Sequence, residues 1–153
     1  MTEKLTHIND HAEAHMVDVS DREQTVRTAT ATGKVLLSTE VLALIASGTT
    51  PKGDVFATAR IAGIMGAKKT PELIPLCHPI AISSVNVDID VVEDGVSILA
   101  TVKIADRTGV EMEALTAVSI AALTIIDMVK ALDPRATIVN VRVEEKDLSL
   151  IHI

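Results

Sequence analysis

The longest run of helical periodicity in the chain covers residues 107–132, RTGVEMEALTAVSIAALTIIDMVKAL. At roughly 100° per residue, Glu113, Thr116, Ser119, Thr124, Asp127 and Lys130 fall within an arc of about 140°, and nearly every other position is apolar. The spacing predicts a helix of about twenty residues, mostly buried, with one polar seam. Thr108-Gly109 leads into it, and Asp133-Pro134 stops it because proline disfavours a helical residue before it. On geometry alone, such a seam is most simply a face turned to water.

Elsewhere the period changes. Thr25 to Leu37, TVRTATATGKVLL, alternates small, β-branched and polar residues and predicts a first strand. Ser38 is placed to cap a helix over TEVLALIAS, closed by Gly48. A second helix is expected from about Asp54 to Lys69. Its Ala59, Ala62, Gly63 and Gly66 imply close approach of another element, for which packing on a sheet is sufficient reason. In TPELIPLCHPIA, Pro71, Pro75 and Pro79 predict an irregular loop that constrains Cys77 and His78. Val85, Val87, Ile89 and Val91 alternate with polar residues, Glu93-Asp94-Gly95 turns the chain, and Val96, Ile98, Ala100, Val102 and Ile104 return it as a hairpin. In ATIVNVRVEE, strict alternation puts Ile138, Asn140 and Arg142 on one side of a last strand and Val139, Val141 and Val143 on the other.

The order strand, helices, strand, strand, helix, strand is the split βαβ pattern of an α+β, ferredoxin-like domain, an antiparallel sheet with helices packed on one face. One domain spans residues 1–153. It opens with a polar arm, 1–22, expected to order against a neighbour. His7, His11 and His15 are four apart, a spacing that binds metal on a helix, but Asn9 and Asp10 interrupt it and no metal site is assigned.

With one Phe, no Trp and no Tyr in 153 residues, the core is built from Val, Ile, Leu, Ala and Met, which favours tight helix-on-sheet packing and completion by association. A homo-oligomer is expected. The net charge of −7 argues against a nucleic-acid surface, although the fourteen Lys and Arg can still converge on a small anion. No run of eighteen apolar residues lacks a polar interruption and MTEKLTHINDH has no apolar core of a signal peptide, so no membrane segment is predicted. The single Cys77 precludes an internal disulfide and suits a cytoplasmic location.

Three places offer chemistry. Asp127 and Lys130 are three apart on the seam, and a carboxylate beside an ammonium can stabilise charge or pass protons. Lys52, in PKGDV, precedes a helix whose free N–H groups could help it hold phosphate oxygens, while Lys68-Lys69 at the far end can complement the helix dipole. Cys77-His78 lacks the ligands for a zinc shell, and His78 reads better as a hydrogen-bond donor to substrate. The residues alone describe an acidic, oligomeric domain with an anion pocket.

The segments KGDVFATARIAGIMGAKKTPELIPLCHP and RTGVEMEALTAVSIAALTIIDMVKA, with LTHIND and AHMVDVS, closely resemble the MoaC family, the cyclic pyranopterin monophosphate synthases of molybdenum cofactor biosynthesis. The resemblance implies a hexamer built as a trimer of dimers with active sites between subunits. It implies a lyase acting on a nucleotide, 3′,8-cyclised dihydro-GTP, which becomes the cyclic phosphate pterin with loss of pyrophosphate. The alternative is an oligomer that binds a nucleotide or other anion without turnover. By the same resemblance, Asp127, Lys130 and Lys52 are catalytic, and Leu76, Cys77, His78, Met112 and Glu113 bind substrate. Arg27, Lys68 and Lys146 supply further basic contacts. No resident cofactor is implied, although Mg²⁺ can accompany the phosphates. The chain departs from the family in its tail, where EEKDLSLIHI replaces a Gly-rich KSGGKSG-like loop, and Ile126 and Val129 stand where Tyr and Cys are common.

Overall fold

The structure is a computed structural model that describes residues 16–20 and 25–144. Its elements follow the chain as β1 (Thr25–Leu36), α1 (Thr39–Ser47), α2 (Val55–Lys68), α3 (Thr70–Leu73), β2 (Ser84–Val92), β3 (Gly95–Asp106), α4 (Glu111–Val129) and β4 (Thr137–Val143). The strands form one antiparallel sheet in the order β2-β3-β1-β4. This is the ferredoxin-like arrangement expected from the pattern, with the central pair β1 and β3 aligned from Thr25↔Asp106 to Leu36↔Gly95.

Local chemistry explains the boundaries. Ser38 accepts a hydrogen bond from Val41 N at 3.2 Å, and Gly48 ends α1 in the left-handed conformation, φ 71°. Asp54 caps α2 through Ala57 N at 3.0 Å. The buried Asp133, just past α4, accepts from Ser38 N at 2.7 Å and ties that end of the helix to the start of α1.

Two expectations are corrected. The proline segment is not irregular throughout, since Thr70–Leu73 forms a short helix with Pro71 in its first turn. There proline removes no intrahelical hydrogen bond and its fixed φ suits the helix. In β4 the alternation breaks at Asn140, φ 59°, where the pairing to β1 slips between Thr32↔Arg142 and Lys34↔Val139. The extra residue in β4 is a bulge. It brings Ile138, the partner of the buried Val35, onto the helix-facing side together with Val141, which lies beside Gly33.

The core lies between that face and α4, whose Ala114, Ala117, Val118, Ala121, Ala122 and Ile125 are all fully buried. The small residues of α2 approach α4 more than the sheet. A Cβ at Gly63 would lie 2.9 Å from Ala117 O and 3.4 Å from Ala121 Cβ, and one at Gly66 2.8 Å from Ile120. The expected packing on the sheet is present as well, with Val87 3.3 Å from the Gly63 position and Arg60 Nε donating to Val87 O at 3.2 Å. Without aromatic volume, burial is achieved by bringing backbones close. Gly63→Ala tests this: it gains about 1 kcal/mol of helix propensity but overpacks against a backbone carbonyl, so we expect a net loss of about 1–2 kcal/mol by thermal or urea unfolding. A variant as stable as the parent would contradict the close approach.

Candidate active site

The polar seam of α4 does not face water as a whole. Glu113 is only 2 % exposed and Thr116 is buried, while Asp127 and Lys130 are exposed. Thr116 and Thr124 satisfy their hydroxyls by donating to the carbonyls of Met112 and Ile120, four residues back, at 2.7 and 2.8 Å. The two ends of the helix therefore meet different surroundings, and each carries a cluster of the residues singled out above.

At the C-terminal end, Asp127 Oδ1 accepts from Lys130 Nζ at 2.7 Å, and Lys52 Nζ stands 3.6 Å from Asp127 Oδ2. Lys52 comes from the loop between α1 and α2. Gly53, φ 99°, turns that loop, aided by Gly53 N donating to Thr50 O at 3.1 Å. Lys52 is thereby directed to the end of α4, where it also donates to the Asp127 carbonyl at 3.0 Å. Of the first-turn N–H groups of α2, that of Ala57 is already held by Asp54. A carboxylate at a helix C-terminus meets an unfavourable dipole, and two ammonium groups offset it. The Lys130 hydrogen bond, then the charges of Lys130 and Lys52, hold the Asp127 carboxyl below its ordinary range. Asp127 is an anion between two cations.

At the N-terminal end, a cavity of about 250 Å³ is lined by Leu76, Cys77, His78, Met112 and Glu113, with Thr108, Gly109 and Glu111. Residues 16–20 of the expected arm lie against this cavity of their own chain through Val17 and Val19. Burial, followed by the nearby Glu111 charge, raises the Glu113 carboxyl above its ordinary value. Burial, then Glu113 and Glu111, raises the Cys77 thiol, so Cys77 lines the cavity as a neutral thiol. Arg27 lies at this end of β1, paired with the buried Ile104. Its Nε is buried and has no partner among the described residues. Lys68, in the last turn of α2, is exposed and does not line the cavity. Lys146, His7, His11, His15 and the 145–153 tail lie outside the described residues. Among the described residues no group of three His, Cys, Asp or Glu is placed to hold a metal ion.

Within one chain the two clusters stand far apart. Glu113 and Asp127 are fourteen residues apart on one continuous helix, about 21 Å at 1.5 Å per residue.

The MoaC family profile matches residues 16–148, nearly the whole chain. The chain belongs to the MoaC family. It is 63 % identical over 144 residues to the cyclic pyranopterin monophosphate synthase of Streptomyces avermitilis, covering 94 % of this chain and 85 % of that protein. The enzyme of that name from Nocardioides is 58 % identical over 146 residues, with 94 % and 90 % covered. Cyclic pyranopterin monophosphate synthase 2 of Mycobacterium tuberculosis is 54 % identical over 144 residues, with 94 % and 86 % covered. Helix α4 meets the length and hydropathy of a membrane span, but half of it is buried against the rest of this MoaC domain, as for the core helix of a globular fold.

Sequence reasoning missed Val17, Val19, Thr108, Gly109 and Glu111 as cavity residues. Only Glu111 carried a readable sign, a second carboxylate two positions before Glu113. The raised Glu113 carboxyl makes stability depend on pH. Above 4.5, its ordinary value, the unfolded chain releases this proton while the folded chain resists, so the group lowers stability as pH rises from 4.5 to its folded value. Glu113→Gln is therefore expected to raise the melting temperature at neutral pH. The gain should shrink to nothing below pH 4.5, where both states hold the proton. A gain independent of pH would contradict the assignment.

Proposed function

We propose that this chain is a cyclic pyranopterin monophosphate synthase, and that the arrangement carrying the reading is the Asp127 carboxylate held between the ammonium groups of Lys52 and Lys130. A site that only binds a polyanion gains nothing from a carboxylate among its cations. A site that moves protons and stabilises changing charge does. The substrate in this reading is the 3′,8-cyclised dihydro-GTP. A ribose-derived hydroxyl attacks the α-phosphorus, forms the new P–O bond and displaces pyrophosphate, while Lys52 and Lys130 offset the charge gathering on the phosphate oxygens. Asp127, ionised at the outset, accepts a proton and orients Lys130. No resident cofactor enters these steps, and any magnesium arrives with the phosphates as part of the substrate.

The cavity suits the other part of the molecule. Among the described residues its lining has two carboxyl groups and no lysine or arginine, which disfavours phosphates and matches the N–H-rich edge of the guanine-derived ring. The 21 Å between the clusters supports a site completed by two chains, one giving the cavity and the other the Lys52, Asp127 and Lys130 cluster. Arg27, Lys68 and Lys146 add cations around the phosphates. Exposed Ile61 and Met65 on one face of α2, with Leu123 of α4, support a homo-oligomer, in this reading the hexameric trimer of dimers, working in the cytoplasm.

Incubation of the purified protein with the cyclised dihydro-GTP tests the reading through pyrophosphate release and the oxidised fluorescent pterin. Asp127→Asn is expected to lower turnover by about a thousandfold while substrate still binds. Binding by folded parent protein without any release of pyrophosphate would instead establish a non-catalytic anion-binding module.

A further inference from the structure

One wall of the cavity comes from none of the substrate-binding motifs. Residues 16–20 cross it without regular secondary structure, with Val17 and Val19 half-buried and Met16, Asp18 and Ser20 exposed. Asp18 Oδ1 accepts from Ser20 N at 2.9 Å, which bends the strand of chain just past Val17. The Val17 carbonyl meets His78 Nε2 at 2.5 Å, sixty-one residues away in sequence.

A carbonyl oxygen accepts hydrogen bonds and never donates them, so the His78 nitrogen facing it must carry the hydrogen. A neutral imidazole has only one such hydrogen, which leaves Nδ1 with its lone pair. We propose that residues 16–20 form a positioning strap, in which the Val17 carbonyl holds His78 as the Nε2–H tautomer and turns Nδ1 to the substrate as a hydrogen-bond acceptor. The sequence-based expectation of His78 as a donor to substrate is thereby inverted: its donor belongs to the strap. The inference rests on the cavity being the ring-binding half of the synthase site. Among the described residues, the charged and titratable groups around His78 are Asp18 on the strap, Cys77 beside it, and Glu111 and Glu113 across the cavity.

An acceptor at Nδ1 complements a guanine-derived ring, whose pyrimidine edge offers N–H donors. The Glu113 carboxyl lines the same cavity as a further hydrogen-bonding group for the ring. The apolar side chains of Val17 and Val19 seat the strap, and their loss should free the imidazole without removing the carbonyl itself.

The test uses the full chain labelled with ¹⁵N and ¹³C in histidine, with ring nitrogen shifts recorded at about pH 9, above the imidazole titration range. The parent is expected to hold His78 in the Nε2–H tautomer alone. The Val17→Ala/Val19→Ala double variant, checked for its fold by thermal melting, should show both tautomers and a kcat/KM lower by about tenfold. Should the double variant not fold, Val19→Ala alone is expected to move both readouts in the same direction by less. A parent dominated by the Nδ1–H form, or a variant whose tautomer is unchanged, would overturn the proposal. So would a tautomer shift with kcat/KM unaltered. Because the shifts are read without substrate, a parent that never releases pyrophosphate would sink the synthase reading separately.

Discussion

The close approach of α4 to the sheet on one side and to α2 on the other is the constraint on which the rest of this molecule depends. A chain with a single aromatic residue cannot fill a thick interlayer space. It brings backbones together instead, through the alanines of α4 and through Gly63 and Gly66 of α2. Packed in this way, α4 is a rod fixed along its length. Whatever sits at its two ends is held at a set separation.

The rod separates two electrostatic environments. At one end the cavity pushes Glu113 and Cys77 toward their neutral forms by burial and by a neighbouring carboxylate. At the other, two ammonium groups hold Asp127 ionised in the open. Titratable groups driven in opposite directions are a mark of assigned acid and base roles. In the proposed reading they also divide the labour between the two parts of one substrate. The hydrogen-bonding end would suit the heterocycle, and the lysine-rich end phosphate chemistry. A single nucleotide would meet both ends, in that reading, where two chains bring opposite ends of their α4 helices together.

Much of the fold was legible because its punctuation is local. Ser38, Gly48 and the Glu93-Asp94 turn act within a few residues of themselves, and the structure keeps each in its expected role. Asn140 was not legible, because one left-handed residue inside an alternating run leaves no trace in composition, yet it moves Ile138 to the opposite face from the one alternation assigned. Pro71 read as a breaker but starts a helical turn. The seam of α4 misled for a related reason: a helical wheel gives direction but not depth, so Glu113 and Asp127 looked equivalent although one is buried and the other open. Lys52 and Asp127 are seventy-five residues apart and meet only in the fold. The resemblance to a family supplied these residues as a set, whereas their division into two distant clusters came from the geometry.

The most direct test of a site shared between chains is to co-express two inactive variants, Asp127→Asn and His78→Ala, and to assay the mixed assemblies. If each site takes its cavity from one chain and its Lys52, Asp127 and Lys130 cluster from the other, a mixed pair has one site carrying both lesions and one carrying neither. Random mixing should then restore about a quarter of the parent activity. Mixed assemblies as inactive as either variant alone would contradict the shared site and require both clusters to act within a single chain.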